Sequence, residues 1–345
     1  MGMRNKSIND LFSLFNFMKI FLLMLRKLLH IQLLFIALLV STAAFAQNYP
    51  NRPIKIIIPF PPGDTLDMMT RIIGPKISER LGQPIVIENR PGASGVIGMD
   101  IVAKSKPDGY TLVAAQGGNM AVLPHTSKIV TYNPLKDFSL IALSTFNYMS
   151  IAASPSAPFK TFPQMIAWAK ANPGKLTVGT NGEGGFPHMT FEYLGVSANF
   201  KFTHVPYKGA AQVVTDLAGG QLMVGVAGIS SFAPHARSGT VNMLAITNKD
   251  RVALWPDVPT VSETIPGWTV GGWFGYAGPA GLPRDIVMKW NAEINRAFKS
   301  PEVIEQMIAA GLIIATEPPE YFTQVLGADY ARYGKLVKDI HFVPQ

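Results

Sequence analysis

The segment Ile54-Lys55-Ile56-Ile57-Ile58-Pro59 constrains the fold more than any other stretch, because Pro61-Pro62-Gly63 breaks it and a helical pattern follows from Thr65 to Leu81. A run this rich in β-branched side chains reads as a strand buried on both faces, as in a parallel sheet. Gly82 ends the helix, Pro84–Glu88 supplies a second strand, and Asn89-Arg90-Pro91-Gly92 turns the chain into a helix around Val96–Lys104. Pro107-Asp108-Gly109 is a turn signal, and Tyr110–Ala115 reads as a third strand. Strands alternating with helices require an α/β sheet with helices on its faces.

The alternation then starts again. Met149–Ala153, Lys175–Thr180, Phe202–Pro206, Gln221–Ala227 and Val241–Thr247 read as strands. Thr161–Ala171, Pro187–Val196 and Ala210–Leu217 read as helices, with Thr161 as a candidate N-cap. The end of the chain is helical. Pro283 marks a helix start, as a first-turn proline does, and Trp290, Ile294 and Phe298 recur at helical spacing on one buried face. Pro301–Gly311 and Pro319–Asp339 read as two more helices. A chain of 345 residues with two such halves suits two domains.

The first 46 residues read as an address and not as part of the fold. Arg26-Lys27 precede the apolar run Leu28–Val40, and Ala44-Phe45-Ala46 follows with small residues at its first and third places. That order is expected of a cleavable export signal, with Gln47 the mature start and Met24 a start that gives a compact signal. The run is short for a membrane span. Residues 1–46 hold five of the 30 Lys/Arg and one of the 22 acids, so their removal halves the net charge from +8 to +4. That modest excess, with no basic run interleaved with aromatics, argues against nucleic acid as a partner. The absence of Cys excludes disulfides, thiolate catalysis and Cys-ligated metals.

Enzyme signatures are missing. The chain has no G-x-S-x-G elbow, no phosphate-binding G-x-x-x-x-G-K-[ST] loop and no H-E-x-x-H. None of its six His pairs with another at three or four residues' spacing, so no local metal site is expected. Two strand-to-helix loops stand out instead. The first is Pro59–Asp67. The second is Thr180–His188, which contains Gly182-Glu183-Gly184-Gly185. Ligands of open α/β sheets sit beyond the carboxyl ends of strands, and the unpaired amides of a helix start favour an anion there. Asp64 or Thr65 is equally a plain N-cap, with Asp67 bonding back to nearby amides, and the two roles are compatible.

These residues, together with a series of ordered motifs, resemble the substrate-binding receptors of tripartite tricarboxylate transporters, the Bug-type periplasmic solute-binding proteins. The motifs include Leu81-Gly82-Gln83-Pro84, Glu88-Asn89-Arg90-Pro91-Gly92-Ala93, Pro107-Asp108-Gly109-Tyr110-Thr111-Leu112 and Pro134-Leu135-Lys136-Asp137-Phe138. Further along come His204-Val205-Pro206-Tyr207-Lys208-Gly209, Leu217-Ala218-Gly219-Gly220-Gln221, Pro256-Asp257-Val258-Pro259-Thr260-Val261 and Trp273-Phe274-Gly275. They keep the family's order along nearly the whole mature chain. The resemblance implies an α/β periplasmic-binding-protein fold: two α/β lobes joined by a hinge, with a ligand cleft between them. Residues 47–149 with 271–345 would form lobe 1, and 150–270 lobe 2. It implies a periplasmic receptor and not an enzyme. Such a receptor captures a small organic carboxylate and delivers it to membrane permease subunits of a tripartite transporter, or serves as the ligand-sensing partner of a sensor kinase. No cofactor is implied, and a monomer is expected.

By position the resemblance gives the first carboxylate loop to Phe60, Gly63, Asp64, Thr65 and Asp67. It gives the rest of the cleft to Asn119 and to the loop carrying Gly182, Gly185, Phe186 and His188. Three departures matter. Gly63-Asp64-Thr65-Leu66-Asp67 stands where the family usually has Gly-Gly-[Ser/Thr]-Thr-Asp, and the extra carboxylate weakens anion binding unless Asp64 caps the helix or turns outward. Gly185 and Phe186 stand where a Ser/Thr pair is frequent. Ala227 stands where an Asp is common. Phe186, Tyr207, Trp273 and Phe274 then read either as an aromatic wall or as core. With fewer groups to grip an ammonium or a distal carboxylate, the expected ligand is an aromatic or apolar-bodied acid. Tyr207-Lys208 reads as a structural or closure element, and Arg71 and Arg90 as ion-pair partners.

Overall fold

The computed structural model of the chain describes residues 49–344 other than 148, 253 and 254, and upstream of these residues 18, 24–28 and 32. The Ala44-Phe45-Ala46 signal, and the apolar run apart from Leu28 and Gln32, lie outside the described residues. Among the described residues no helix is long and apolar enough to cross a membrane.

In chain order the elements are β1 (Ile54–Ile58), α1 (Thr65–Leu81), β2 (Ile85–Asn89), α2 (Val96–Ala103), β3 (Thr111–Gln116), a π-helical turn (Gly118–Val122) and the short α3 (Leu123–Thr126). Next come β4 (Phe138–Asn147), β5 (Met149–Ala153), α4 (Phe162–Ala171), β6 (Leu176–Thr180), α5 (Phe186–Ala198), β7 (Phe202–Pro206), α6 (Ala210–Ala218), β8 (Val224–Gly228), α7 (Ile229–Arg237) and β9 (Asn242–Ile246). The chain ends with β10 (Gly272–Pro279), α8 (Arg284–Phe298), α9 (Pro301–Ala309), β11 (Leu312–Ile314) and α10 (Pro319–Asp339).

These strands form two sheets, ordered β11-β4-β10-β3-β1-β2 and β7-β6-β8-β5-β9. In the first sheet, β1 runs parallel to β2 and β3, while β10 is antiparallel to β3 and β4. In the second, β6 runs parallel to β7 and β8, while β5 is antiparallel to β8 and β9. Each lobe thus presents the carboxyl ends of a parallel trio, followed by helix starts. The lobes are linked by two passages. The chain leaves the first sheet at Asn147 and enters the second at Met149. On its return, Thr247 N–H donates to Met149 O and Val270 N–H to Thr247 O, both at 2.9 Å, so the two crossing segments are bonded to each other.

The expected strands and helices of both halves are present, some with the expected ends and the others displaced by at most three residues, the usual uncertainty of fraying termini. Trp290, Ile294 and Phe298 are buried as their spacing requires, and Pro283 is the N-cap of α8 instead of its first helical residue. Thr161 caps α4 in a full capping box with Gln164. Sequence periodicity missed β4, β10, β11, the π-helical turn, the short α3 and α7. In β10 all eight residues are buried, yet Gly272, Gly275 and Gly278 hide it. A Cβ on Gly275 would lie 2.7 Å from Ala142 O and from the Phe322 ring, so the strand is glycine-rich because its neighbours come close. Helix α7 carries Pro234 in its interior, which reads as a breaker.

Candidate ligand cleft

A cleft of about 540 Å³ opens between the two sheets, lined from both lobes. Its first-lobe wall is the loop between β1 and α1. Asp64 is the N-cap of α1 and accepts a hydrogen bond from Leu66 N–H at 2.9 Å. Asp67 does not reach the cleft. It is buried, one oxygen accepting from Gly63 N–H and the other from Arg71 Nε and Asn89 Nδ2, all at 2.9 Å. Asn89 Nδ2 also donates to Phe60 O. Asp67 and Asn89 therefore tie the loop to the end of β2, and Gly63 takes the left-handed conformation (φ +86°) that the turn requires. Burial alone would raise the Asp67 pKa, but the bonds from Arg71, Gly63 and Asn89 outweigh it and hold the carboxyl below its ordinary value. Asp64 goes the other way: burial, reinforced by the neighbouring Asp67 charge, raises it despite the Leu66 bond.

A negative Asp64 on the cleft wall opposes any incoming acid. Asn is as good an N-cap as Asp, so Asp64→Asn removes the charge and keeps the helix. A unit charge about 10 Å away at an effective dielectric of about 20 is worth roughly 1.5 kcal/mol. Asp64→Asn is therefore expected to tighten binding of a simple monocarboxylate about tenfold by calorimetry, and weaker binding would show that Asp64 helps to hold the ligand.

Asn119 stands in the π-helical turn after β3, a geometry frequent at functional sites. Its side chain is fully buried, and Oδ1 accepts from Gln116 N–H at 3.1 Å, which fixes the amide's orientation. Asn119 lines the cleft, and its buried Nδ2 has no hydrogen-bond partner. A Cβ on Gly95 would lie 3.3 Å from this Nδ2 and 3.2 Å from the tip of the Phe60 ring, so the two side chains adjoin.

The second-lobe wall is the loop from Thr180 to α5. Gly184 N–H donates to His188 Nδ1 at 2.9 Å, leaving the ring proton on Nε2, 3.3 Å from Glu192. Gly184 O accepts from Thr126 Oγ1 of the first lobe at 3.0 Å, and Phe186 meets Tyr333 of α10 edge-on. Behind the loop His188 stacks on His204, with ring centroids 3.6 Å apart. The Thr180 hydroxyl donates to Gly182 O and lies 2.8 Å from His204 Nε2. Burial, and then the adjacent His188, push the His204 imidazole down to about 3 from 6.5. Between those values the unfolded chain holds a proton that the folded one does not, so stability is lost as pH falls through that window. His204→Gln is expected to flatten the fall in melting temperature between about pH 7 and pH 4, and a slope as steep as the parent's would count against this account.

Of the residues singled out from the sequence, Phe60, Asp64, Thr65, Asn119, Gly182, Gly185, Phe186, Ala227 and Phe274 line the cleft. Gly63, Asp67, His188 and Tyr207 do not. The first three shape loops. Tyr207 turns away and donates its hydroxyl to Asp216 at 2.7 Å, while its neighbour Lys208 lines the cleft. The aromatic lining is therefore Phe60, Phe186, Trp273 and Phe274, without Tyr207. Trp273 is pinned by donating its indole N–H to Asp329, which also accepts from Arg332, both at 2.9 Å. Arg71 and Arg90 pair within their lobe with Asp67 and Glu88. Sequence reasoning placed Glu183 on the cleft with its loop but missed Asn147, Ser230 and Ser231, which also line it. Ser230 and Ser231 stand in the first turn of α7, just past the carboxyl end of β8, so the strand-end rule would have found them had α7 been read as a helix.

The model of the tripartite tricarboxylate transporter family receptor matches residues 69–342. The chain belongs to that receptor family. BugT of Bordetella pertussis is 31% identical over 302 residues, which is 87% of this chain and 93% of BugT. Among solved family-like structures, a Rhodopseudomonas palustris protein with adipate is 28% identical, covers 86% of this chain and 100% of its own, and superposes with a TM-score of 0.75. MatC of the same organism, with bound malate, is 29% identical over 84% of this chain and 100% of its own, with a TM-score of 0.71. The receptor family's two-lobed solute-binding fold accounts for the paired sheets and for the cleft between them.

Proposed function

We propose that this receptor captures a small organic carboxylate with an aromatic or apolar body and delivers it to the membrane permease subunits of a tripartite transporter, without turning it over. The observation that carries the carboxylate reading is Asn119 Nδ2, a buried donor of fixed orientation and no protein partner, on a residue that lines the cleft. A buried N–H left unmade costs about 1–3 kcal/mol, and a bond to a charged oxygen contributes about 1.5–3 kcal/mol. Thr65, in the first turn of α1, adds amide and hydroxyl donors at the same end. Relatives solved with adipate and malate support the ligand class. The rings of Phe60, Phe186, Trp273 and Phe274, with Gly185 and Ala227 bringing no polar side chain, support the apolar body.

In this reading residues 47–149 with 271–345 form one lobe and 150–270 the other, and the crossing segments at Met149, Thr247 and Val270 are the hinge. Residues 1–46 are an export signal cleaved after Ala46, and the mature receptor acts in the periplasm as a monomer. A thermal-shift screen of residues 47–345 against mono-, di- and aromatic carboxylates, sugars and amines tests the reading, because a ligand that binds only the folded state raises the melting temperature. Stabilisation by carboxylates, with 1:1 stoichiometry and unaltered ligand recovered, is the expected result. Stabilisation by sugars or amines and by no carboxylate would overturn it.

A further inference from the structure

Two groups at the same end of the cleft make opposite demands on a ligand. Asn119 Nδ2, fully buried and unpartnered, needs an acceptor oxygen. Asp64, four residues beyond the Phe60 ring that adjoins Asn119, presents a half-buried carboxylate to the same space. Among the described residues no cation pairs with Asp64, and Arg71, the basic residue nearest to it in sequence, is committed to Asp67 and Asn89. Glu183 adds a second carboxylate from the opposite loop, also without an ion pair among the described residues. Lys208, itself exposed, is the cation among the described lining residues, so carboxylates outnumber cations on the cleft wall. A plain acid that satisfies Asn119 is repelled by Asp64. A ligand carrying both signs close together satisfies both.

The remaining walls select the kind of cation. A ring face attracts a positive charge but accepts N–H bonds poorly, which suits a nitrogen sheathed in alkyl groups. A Cβ on Gly117 would lie 3.2 Å from Trp273 Nε1 and 3.5 Å from the Phe186 ring, so these two rings, one from each lobe, approach each other across the cleft. We infer that the ligand is a compact zwitterion in which a carboxylate stands within one or two carbons of an alkylated, permanently cationic nitrogen. The carboxylate meets Asn119 Nδ2, and the cation lies between the aromatic rings and the carboxylates of Asp64 and Glu183. This rests on the carboxylate reading above and narrows it.

Calorimetry on the mature chain with a matched pair of probes tests the inference. Trimethylammonioacetate and 3,3-dimethylbutanoate have the same shape and the same carboxylate, and differ only in nitrogen cation against neutral carbon. The zwitterion is expected to bind about tenfold tighter or more than its carbon isostere, and tighter than glycine. Asp64→Asn and, independently, Glu183→Gln are expected to weaken the zwitterion and to tighten the isostere, closing the gap from both sides. Equal or tighter binding of 3,3-dimethylbutanoate would overturn the inference and leave the carboxylate reading standing. Tighter binding of glycine would overturn the alkylated cation. Failure of both probes, with other acids stabilising the protein in the thermal screen, would also overturn it, whereas failure of every carboxylate would sink the underlying reading itself.

Discussion

Asn119→Asp is expected to reduce carboxylate affinity by more than about a thousandfold. The change exchanges the N–H donor for an oxygen and adds a negative charge at the proposed place of the ligand's carboxylate. The lost charge-assisted bond is worth about 1.5–3 kcal/mol, and like charges about 4 Å apart at an effective dielectric of about 20 repel by roughly 4 kcal/mol. The substitution keeps Oδ1, which accepts from Gln116 N–H, so the turn keeps its shape, although the buried carboxylate lowers the melting temperature of the free protein. Asn119→Ala adds no charge but strands the Gln116 amide, so its stability and affinity fall through lost bonds. Titration of the two variants with the acid that stabilises the parent most separates these effects. An affinity of the Asn119→Asp variant within threefold of the parent's would remove Asn119 from the binding account.

Gly98→Val is expected to be the most damaging single change outside the cleft. A Cβ at this position of α2 would lie 2.7 Å from Pro59 Cβ, 2.8 Å from Pro59 Cα and 3.1 Å from Arg90 O. Two of those atoms are backbone and cannot swing aside, so α2 must retreat from the loop that carries Phe60 and Asp64. Overpacking of this kind costs about 1–3 kcal/mol, which in a chain of this size lowers the melting temperature by several degrees. Ligand affinity should fall as well, because Pro59 leads directly into the cleft loop. Gly327→Ala in α10 is the control: a Cβ there meets nothing within 4 Å, and replacing a helical glycine stabilises by up to about 1 kcal/mol. If Gly98→Val melted like Gly327→Ala, close helix-to-loop contact would not be what fixes the first-lobe wall.

What the sequence made legible follows from the range of each signal. β1 and α1 are local: an isoleucine run, a Pro-Pro-Gly break and a capped helix specify themselves within thirty residues. β10 is not local. Its glycines answer to Ala142 and Phe322, and no periodicity within Gly272–Pro279 records those distant neighbours. The same contrast divides the site. Strand-end loops were readable, so the two walls were found, but the direction of a side chain was not. Asp67 and His188 point back into their own loops, and Tyr207 turns to Asp216 while Lys208 takes the cleft side. Both residues lie just beyond β7, where Tyr207 N–H donates to Thr180 O at 2.8 Å, a contact between distant residues that the local sequence does not record.

Apart from Asp64, which both caps α1 and lines the cleft, the residues that hold the two loops in shape are not the residues that line it. Asp67 and Asn89 fasten the first loop, His188 fastens the second, and none of the three lines the cleft. Contour and chemistry are thus written mostly in separate side chains. Substitutions at Glu183 or Phe186 can alter which molecule is recognised without dismantling the frame that recognises it. A receptor built this way can be retuned to a new solute one facing residue at a time, in the laboratory as in descent.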